Sequence, residues 1–246
     1  MNKPLAVVLA AGKGTRMKSD LPKVLCEANS RPLVSYVIDS LRTAGVERLV
    51  IVVGYEAQMV KDRLADVAST EFALQEEQLG TGHAVMMCRE QLDGHDGPVV
   101  VVAGDSPMLQ ASSIKALLDD FEASRPACLL GTLIHEDPTG LGRIVRDGDG
   151  NFTGIVEEKD ASDEQRAITE VNMSTYVFDC SELLASLDKL TDDNRQQEYY
   201  ITDVPGILLG EGKDVRALPV LKPVEALSVN TVEQLADVER AMNEGS

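Results

Sequence analysis

Three runs in the first half of the chain are apolar on successive residues: LAVVL at 5–9, RLVIVV at 48–53 and PVVVVA at 98–103. A strand of that kind needs cover on both faces, which only a central position in a largely parallel sheet provides. Helical patterns lie between the runs. Leu33, Val34, Val37, Ile38 and Leu41 form a stripe predicting a helix over 32–44, closed by Gly45. Further helices are expected over 57–68 and 83–91, with a short strand over 72–75. The expected fold class is therefore α/β, a Rossmann-like mixed but mostly parallel central sheet with helices on both faces.

The second half is less regular. Strands are expected over 127–135, 142–146, 152–158 and 174–179, with a strong turn at Asp147-Gly148-Asp149-Gly150, and helices over 183–190 and 232–242. No Pro-rich or Ser-rich linker and no internal repeat interrupts the chain, so residues 1–246 are expected to form one domain.

Charge and cysteine usage exclude whole classes of partner. With 41 acidic against 23 basic residues the formal net charge is −18, which repels nucleic acid and anionic membrane surfaces. A local cluster of donors can still bind a small anion, and a saline habitat also selects acidic surfaces. Cys26, Cys88, Cys128 and Cys180 form no C-x-x-C pair, so reduced thiols in a cytoplasmic protein are expected rather than a zinc site or a disulfide framework. The apolar run after Met1-Asn2-Lys3-Pro4 is too short for a membrane helix and passes straight into Gly12-Lys13-Gly14, so it reads as a buried strand and not a signal peptide.

The most informative segment follows that first strand: Leu9-Ala10-Ala11-Gly12-Lys13-Gly14-Thr15-Arg16-Met17, with Pro22-Lys23 beyond it. Small residues and glycines let backbone N–H groups approach an anion, and Lys13, Arg16 and Lys23 add cations at spacings that can surround a triphosphate. The dinucleotide pattern G-x-G-x-x-G fails because Met17 stands at the third glycine, and no Gly-Lys-Ser/Thr completes a P-loop. A second such point is Gly104-Asp105-Ser106, directly after the strand over 98–103. Ligands gather beyond the carboxyl ends of parallel strands, and an Asp there suits Mg²⁺, which takes one or two protein oxygens plus phosphates and water. A turn or helix cap is the plainer use of the same Asp.

The string L-A-A-G-x-G-T-R-M…L-P-K resembles the signature of the sugar-nucleotide pyrophosphorylases. Within that group it is similar to the N-terminal uridyltransferase domain of the bifunctional N-acetylglucosamine-1-phosphate uridyltransferases/glucosamine-1-phosphate acetyltransferases of bacterial cell-wall synthesis. The resemblance runs along nearly the whole chain. It implies a nucleotide-binding half over about 1–110 and a sugar-binding half over 111–246. It implies that Leu9, Ala10, Ala11, Gly12, Gly14, Gln75, Gln78, Gly80 and Thr81 bind the nucleotide, the last four from the Q-x-x-Q-L-G-T-G-H-A segment that contacts a pyrimidine. An amide offers a uracil edge both a donor and an acceptor, and glycines leave room for the ring. Arg16 and Lys23 are implied as the catalytic cations. Asp105 and Asn230 are implied as Mg²⁺ ligands, and an Asn before a helix is also a common N-cap. Gly142, Glu157, Asn172, Tyr199 and Thr202 are implied on the sugar side.

The expected reaction is attack of a sugar-1-phosphate oxygen on the α-phosphorus of UTP, giving UDP-N-acetylglucosamine and pyrophosphate. Two departures bear on it. Relatives follow the Asn with Thr-Gly or Ser-Gly where this chain has Met173-Ser174, which affects the fit around the acetamido group. The left-handed β-helix of the bifunctional relatives has no counterpart before Ser246, as in a natural one-domain enzyme or a truncated one. The alternatives are another nucleotide and sugar pair, or a non-catalytic nucleotide-sugar sensor on the same fold. A glycosyltransferase would normally carry Asp-x-Asp where this chain has Gly104-Asp105-Ser106. Nothing in the pattern specifies an oligomeric state.

Overall fold

The three apolar runs lie side by side. The computed structural model of the chain describes residues 3–17 and 19–244; Met1 and Asn2, which precede the expected first strand, lie outside the described residues. β1 (Leu5–Ala10) is flanked in parallel by β4 (Arg48–Val53) and β6 (Pro98–Ala103). The remaining strands are the β2–β3 hairpin (Glu27–Ala28, Arg31–Pro32), β5 (Thr70–Leu74), β7 (Cys128–Ile134), β8 (Gly142–Arg146), β9 (Phe152–Val156), β10 (Glu170–Asp179) and β11 (Val215–Leu218). The main sheet runs β11-β7-β10-β6-β1-β4-β5, with β8 and β9 added beside β10, nine strands among the described residues. β10 alone in that seven-strand path runs against the others. This is the mixed, mostly parallel α/β sheet that the apolar runs require.

The period-two geometry of a strand divides the core in two. Leu5, Val7, Val50, Val52, Val99 and Val101 face one side; Ala6, Val8, Leu49, Ile51, Val100 and Val102 face the other. The second face is covered by α1 (Leu33–Thr43), α2 (Ala57–Arg63) and α5 (Ala111–Ser124), through residues such as Val37, Val60 and Phe121. The first is covered by α3 (Thr81–Met86), α4 (Arg89–Leu92), α7 (Cys180–Leu187) and α8 (Val204–Gly210). A short α6 (Asp163–Arg166) precedes β10, and α9 (Val232–Glu244) packs Val238 and Leu235 on Met17, Ala28 and Leu33.

Several boundaries shift for identifiable reasons. The helix expected over 83–91 is split at Cys88, whose N–H bonds three residues back to Val85 O at 2.9 Å, tightening the turn. The helix expected over 57–68 ends at Arg63, and Ser69 turns at positive φ into β5. The helix expected over 183–190 starts at Cys180, because the Asp179 carboxylate accepts from the N–H groups of Ser181 (3.0 Å) and Glu182 (3.2 Å). The strand expected over 174–179 begins four residues earlier, and the α5, α8 and β11 elements were not anticipated. The turn at 147–150 forms as expected, with Asp147 Oδ1 accepting from Asp149 N and Asn151 N.

Candidate active site

β1 and β6 end side by side, Leu9 in register with Ala103, so the loops after them, Ala11 to Met17 and Gly104-Asp105, open together above the sheet. They frame a cleft of about 300 Å³. Of the residues expected to meet a nucleotide, Leu9, Ala10, Ala11, Gly12, Gln75, Gln78, Gly80 and Thr81 line it, as do Lys23 and Asp105. Gly14 does not line the cleft. It lies beneath Lys23 at φ +65°, where an added Cβ would meet Lys23 Cβ at 2.5 Å, so only glycine lets the lysine pass. Lys13 turns away, its ammonium 4.9 Å from the centroid of the Tyr55 ring.

The base side of the cleft is built from interlocked turns. Gln78 Nε2 donates to Ala11 O at 2.9 Å, tying the two loops together. Buried Gln75 donates to Gly80 O at 3.0 Å and sits 3.1 Å from His83 Nδ1. Gly80, at φ +106°, lies so close to Tyr199 O that a Cβ would approach within 2.5 Å. Tyr199 N donates to Leu79 O (2.8 Å), Gly82 N donates to Tyr199 O (2.7 Å), and Thr81 Oγ1 accepts from Ile201 N (3.1 Å).

At the mouth of the cleft the charged residues converge. Lys23 forms an ion pair with Asp105, both side chains more than four-fifths buried. Lys23 Nζ also donates to Asn230 Oδ1 at 2.9 Å, and Arg16 Nη2 donates to the same oxygen at 3.0 Å. Asn230 is held by its own N–H, which donates to Gln234 Oε1 at 2.8 Å, and by Val229 N, which donates to Asp105 O at 3.2 Å. Four residues spread over 215 positions of sequence thus meet at one point. The oxygens of Asp105 and Asn230 both reach a single ammonium, so a charged carboxylate and a neutral carboxamide face one cation from two sides. Among the described residues no group of three or more His, Cys, Asp or Glu forms a closed metal site. An open pair of hard oxygens instead fits Mg²⁺, which completes its shell with water and phosphate.

The sugar-side residues assemble around β8 and β10. Gly142 on β8 is the register partner of Asn172 on β10, and a Cβ at Gly142 would stand 3.6 Å from Asn172 Cβ and 3.7 Å from Glu157 Oε1. Asn172 is oriented from below by Tyr176, accepting at its OH from Asn172 Nδ2 at 2.7 Å. Glu157 and Thr202 line a second cavity of about 340 Å³ with Asp160, Tyr200 and Asp203. Tyr199 does not reach it; its ring faces His83, centroids 6.4 Å apart. Tyr200 and Glu198, from the segment 198–203 that the resemblance places along the sugar pocket, and Ser174, from the Met173-Ser174 departure, belong to the cavity walls, while Tyr176, which supports Asn172, had no signal in the sequence. Tyr200 was adjacent to the expected Tyr199, but the alternation that decides between them depends on a 3₁₀ turn at Ile201–Asp203.

Burial pushes the Glu157 carboxyl above its ordinary value, and Asp203 and Asp160 push the same way, against the Thr202 hydroxyl and Lys159. Burial and Asp160 also raise Asp203. A raised acid holds its proton more tightly folded than unfolded, so its contribution to stability is present at low pH and is lost as pH rises through the folded value. Glu157→Gln removes that loss. The Tm difference between variant and wild type is therefore expected to grow in the variant's favour from about pH 4 to pH 7. A difference that stays flat with pH would show that Glu157 is not titrating against its acidic neighbours.

Residues 6–200 match the family model of the MobA-like NTP transferase domain. The chain belongs to that family. Among curated proteins, this NTP transferase domain is 44% identical over 244 residues to the bifunctional protein GlmU of Geobacillus sp. (strain WCH70), an alignment covering 99% of this chain and 53% of the relative. The same identity and coverage hold for GlmU of Heliobacterium modesticaldum (strain ATCC 51547 / Ice1). For GlmU of Listeria monocytogenes serotype 4b (strain CLIP80459) the identity is 44% over 242 residues, covering 98% of this chain and 52% of the relative. The chain spans about half the length of the curated relatives it matches. Its fold is shared with a UDP-glucose pyrophosphorylase solved in complex with UDP-glucose, at a TM-score of 0.77 and 17% identity, covering 98% of this chain and 99% of that one.

Proposed function

We propose that this NTP transferase domain transfers UMP from UTP to N-acetylglucosamine-1-phosphate, forming UDP-N-acetylglucosamine and pyrophosphate. The observation that carries this reading is the meeting of Arg16, Lys23, Asp105 and Asn230 at the cleft that Gln75, Gln78, Gly80 and Thr81 line. The 44% identity to GlmU proteins along the chain supports the same assignment.

The chemistry asks little of the protein beyond position and charge. A phosphate oxygen of the sugar phosphate forms a bond to the α-phosphorus of UTP. The bond from that phosphorus to the bridging oxygen breaks, and its electrons leave with pyrophosphate. No side-chain nucleophile is needed. The backbone over 10–12 approaches the phosphates, Arg16 and Lys23 stabilise charge that develops on them, and Gln75 and Gln78 border the base. Gly142, Glu157, Asn172 and Thr202 supply backbone and side-chain groups suited to sugar hydroxyls and an acetamide. Mg²⁺, held by Asp105 and Asn230, would neutralise phosphate charge when bound. In this reading residues 1–110 serve mainly the nucleotide and 111–246 the sugar, with Asn230 reaching back to the phosphates.

Among the described residues no helix is long and apolar enough to cross a membrane. The four cysteines are free and buried, which suits a reducing compartment, and we place the protein in the cytoplasm.

Pyrophosphate release with Mg²⁺ tests the reading, with UTP, dTTP, CTP and GTP each offered N-acetylglucosamine-1-phosphate, glucose-1-phosphate and galactose-1-phosphate. Release confined to UTP with N-acetylglucosamine-1-phosphate is expected. Release with a different pair keeps the reaction and replaces the substrate. No release from folded protein overturns the reading in favour of a nucleotide-sugar sensor.

A further inference from the structure

β10 holds the register with β7 from Glu170 to Asn172 and again from Thr175 to Phe178, with Met173 and Ser174 bulging out between. Ser174 adopts φ +52° there, and among the described residues it is the one non-glycine residue with positive φ inside a strand. That backbone conformation is costly for any side chain other than glycine or, at less cost, asparagine and aspartate. A glycine would take the same path without strain, so a side chain retained at this position needs a use that offsets the cost.

Its surroundings identify that use. The bulge swings Ser174 into the wall of the nucleotide cleft, where it lines the same space as Lys23, Thr81 and Asp105. Its N–H donates to Asn172 Oδ1 at 3.3 Å, so the residue joins the cleft to the sugar-side carboxamide. A serine hydroxyl both donates and accepts, which suits a sugar hydroxyl or a phosphate oxygen equally. Resting on the nucleotidyltransferase reading above, we propose that Ser174 contacts the incoming sugar phosphate through its hydroxyl and sets affinity for it rather than for the nucleotide. The strand that carries it is the one that carries Asn172, whereas the base is bordered by Gln75, Gln78 and Gly80 from other elements.

A competing use is purely internal, because the Ser174 hydroxyl also interacts with the buried Tyr176 phenol that Asn172 bonds. The two uses separate experimentally. Ser174→Gly removes the hydroxyl and the strain; Ser174→Ala removes the hydroxyl and keeps the strain. For both variants KM is measured for each substrate, and Tm is recorded. A contact to the sugar phosphate predicts that both raise its KM about tenfold, the worth of one good hydrogen bond, with KM for UTP within about twofold of wild type. Tm of Ser174→Gly is expected unchanged or up by about 2 °C. An unchanged sugar-phosphate KM in both variants overturns the proposal, as does an equal rise in both KM values with a lowered Tm, the mark of the internal use. Wild-type protein that turns over no pair overturns the underlying reading and this inference with it, and is distinguishable because it is seen before any variant is compared.

Discussion

Asp105→Asn is expected to lower kcat for nucleotidyl transfer by about a thousandfold while leaving the protein folded. The substitution keeps the side chain's shape and exchanges one negative oxygen for an amide. Asp105 lies in the turn just beyond β6, where its backbone carbonyl accepts from Val229 N at 3.2 Å and keeps the segment before α9 in place whichever side chain is present. What the variant removes is the charge that faces Lys23 and, in the functional reading, the anionic oxygen of the Mg²⁺ pair. The lost ion pair is more than four-fifths buried, but Lys23 keeps Asn230 and the amide oxygen as acceptors, so Tm should fall by no more than about 6 °C. Steady-state pyrophosphate release together with thermal melting reads both quantities. Activity within tenfold of wild type would remove Asp105 from the reacting centre.

Arg143→Ala is expected to destabilise the protein by about 3 kcal/mol, lowering Tm by roughly 6–12 °C. Arg143 is the largest side chain that is almost wholly buried, at 2% exposed. Its guanidinium donates from Nη2 to Glu158 Oε2 at 2.6 Å, from Nη1 to Leu141 O, and more weakly to Arg166 O at 3.4 Å. One side chain therefore fastens the β8–β9 hairpin, the loop before it and α6. Removing it leaves a cavity and deprives Glu158 of the partner that holds its carboxyl below the usual range. Glu158 keeps some solvent access and Arg166 nearby, which places the expected loss at the lower end for a broken buried pair. A melting point within 2 °C of wild type would show that the hairpin stands without this anchor. Because Gly142 and Glu157 flank the two anchored residues, KM for the sugar phosphate should rise in the same variant.

The legible and illegible parts of this molecule differ in how local their signals are. β1, β4 and β6 could be read because each is apolar at successive positions, a pattern with one structural solution. The loop over 11–17 could be read because glycines and cations at fixed spacing after a strand have few uses. Helix α5 was missed although its buried Ile114, Leu117 and Phe121 have helical spacing, since polar residues dominate its sequence. The exchange of Tyr200 for Tyr199 at the sugar cavity turned on one turn of 3₁₀ helix, and the bulge at Met173-Ser174 on a register slip against β7. Those features depend on partners far along the chain. Residue resemblance marked Asn230 as a partner of Asp105, but the four-way contact with Lys23 and Arg16 is a tertiary fact with no local trace.

That contact also orders events in the life of the molecule. Asn230 stands at the entrance of α9, and α9 is moored to the β2–β3 hairpin, where Glu239 accepts from Asn29 N at 3.0 Å and Asn243 accepts from Asn29 Nδ2 at 3.2 Å. The sheet and the cleft are complete with β11, before this stretch is made. During synthesis the growing chain can thus form its sheet and present Asp105, Lys23 and the glycine loop without the carboxamide that closes the group. The four-residue group therefore waits on the segment that carries Asn230 and α9, and a chain synthesised only through β11 has the cleft without the carboxamide at its mouth.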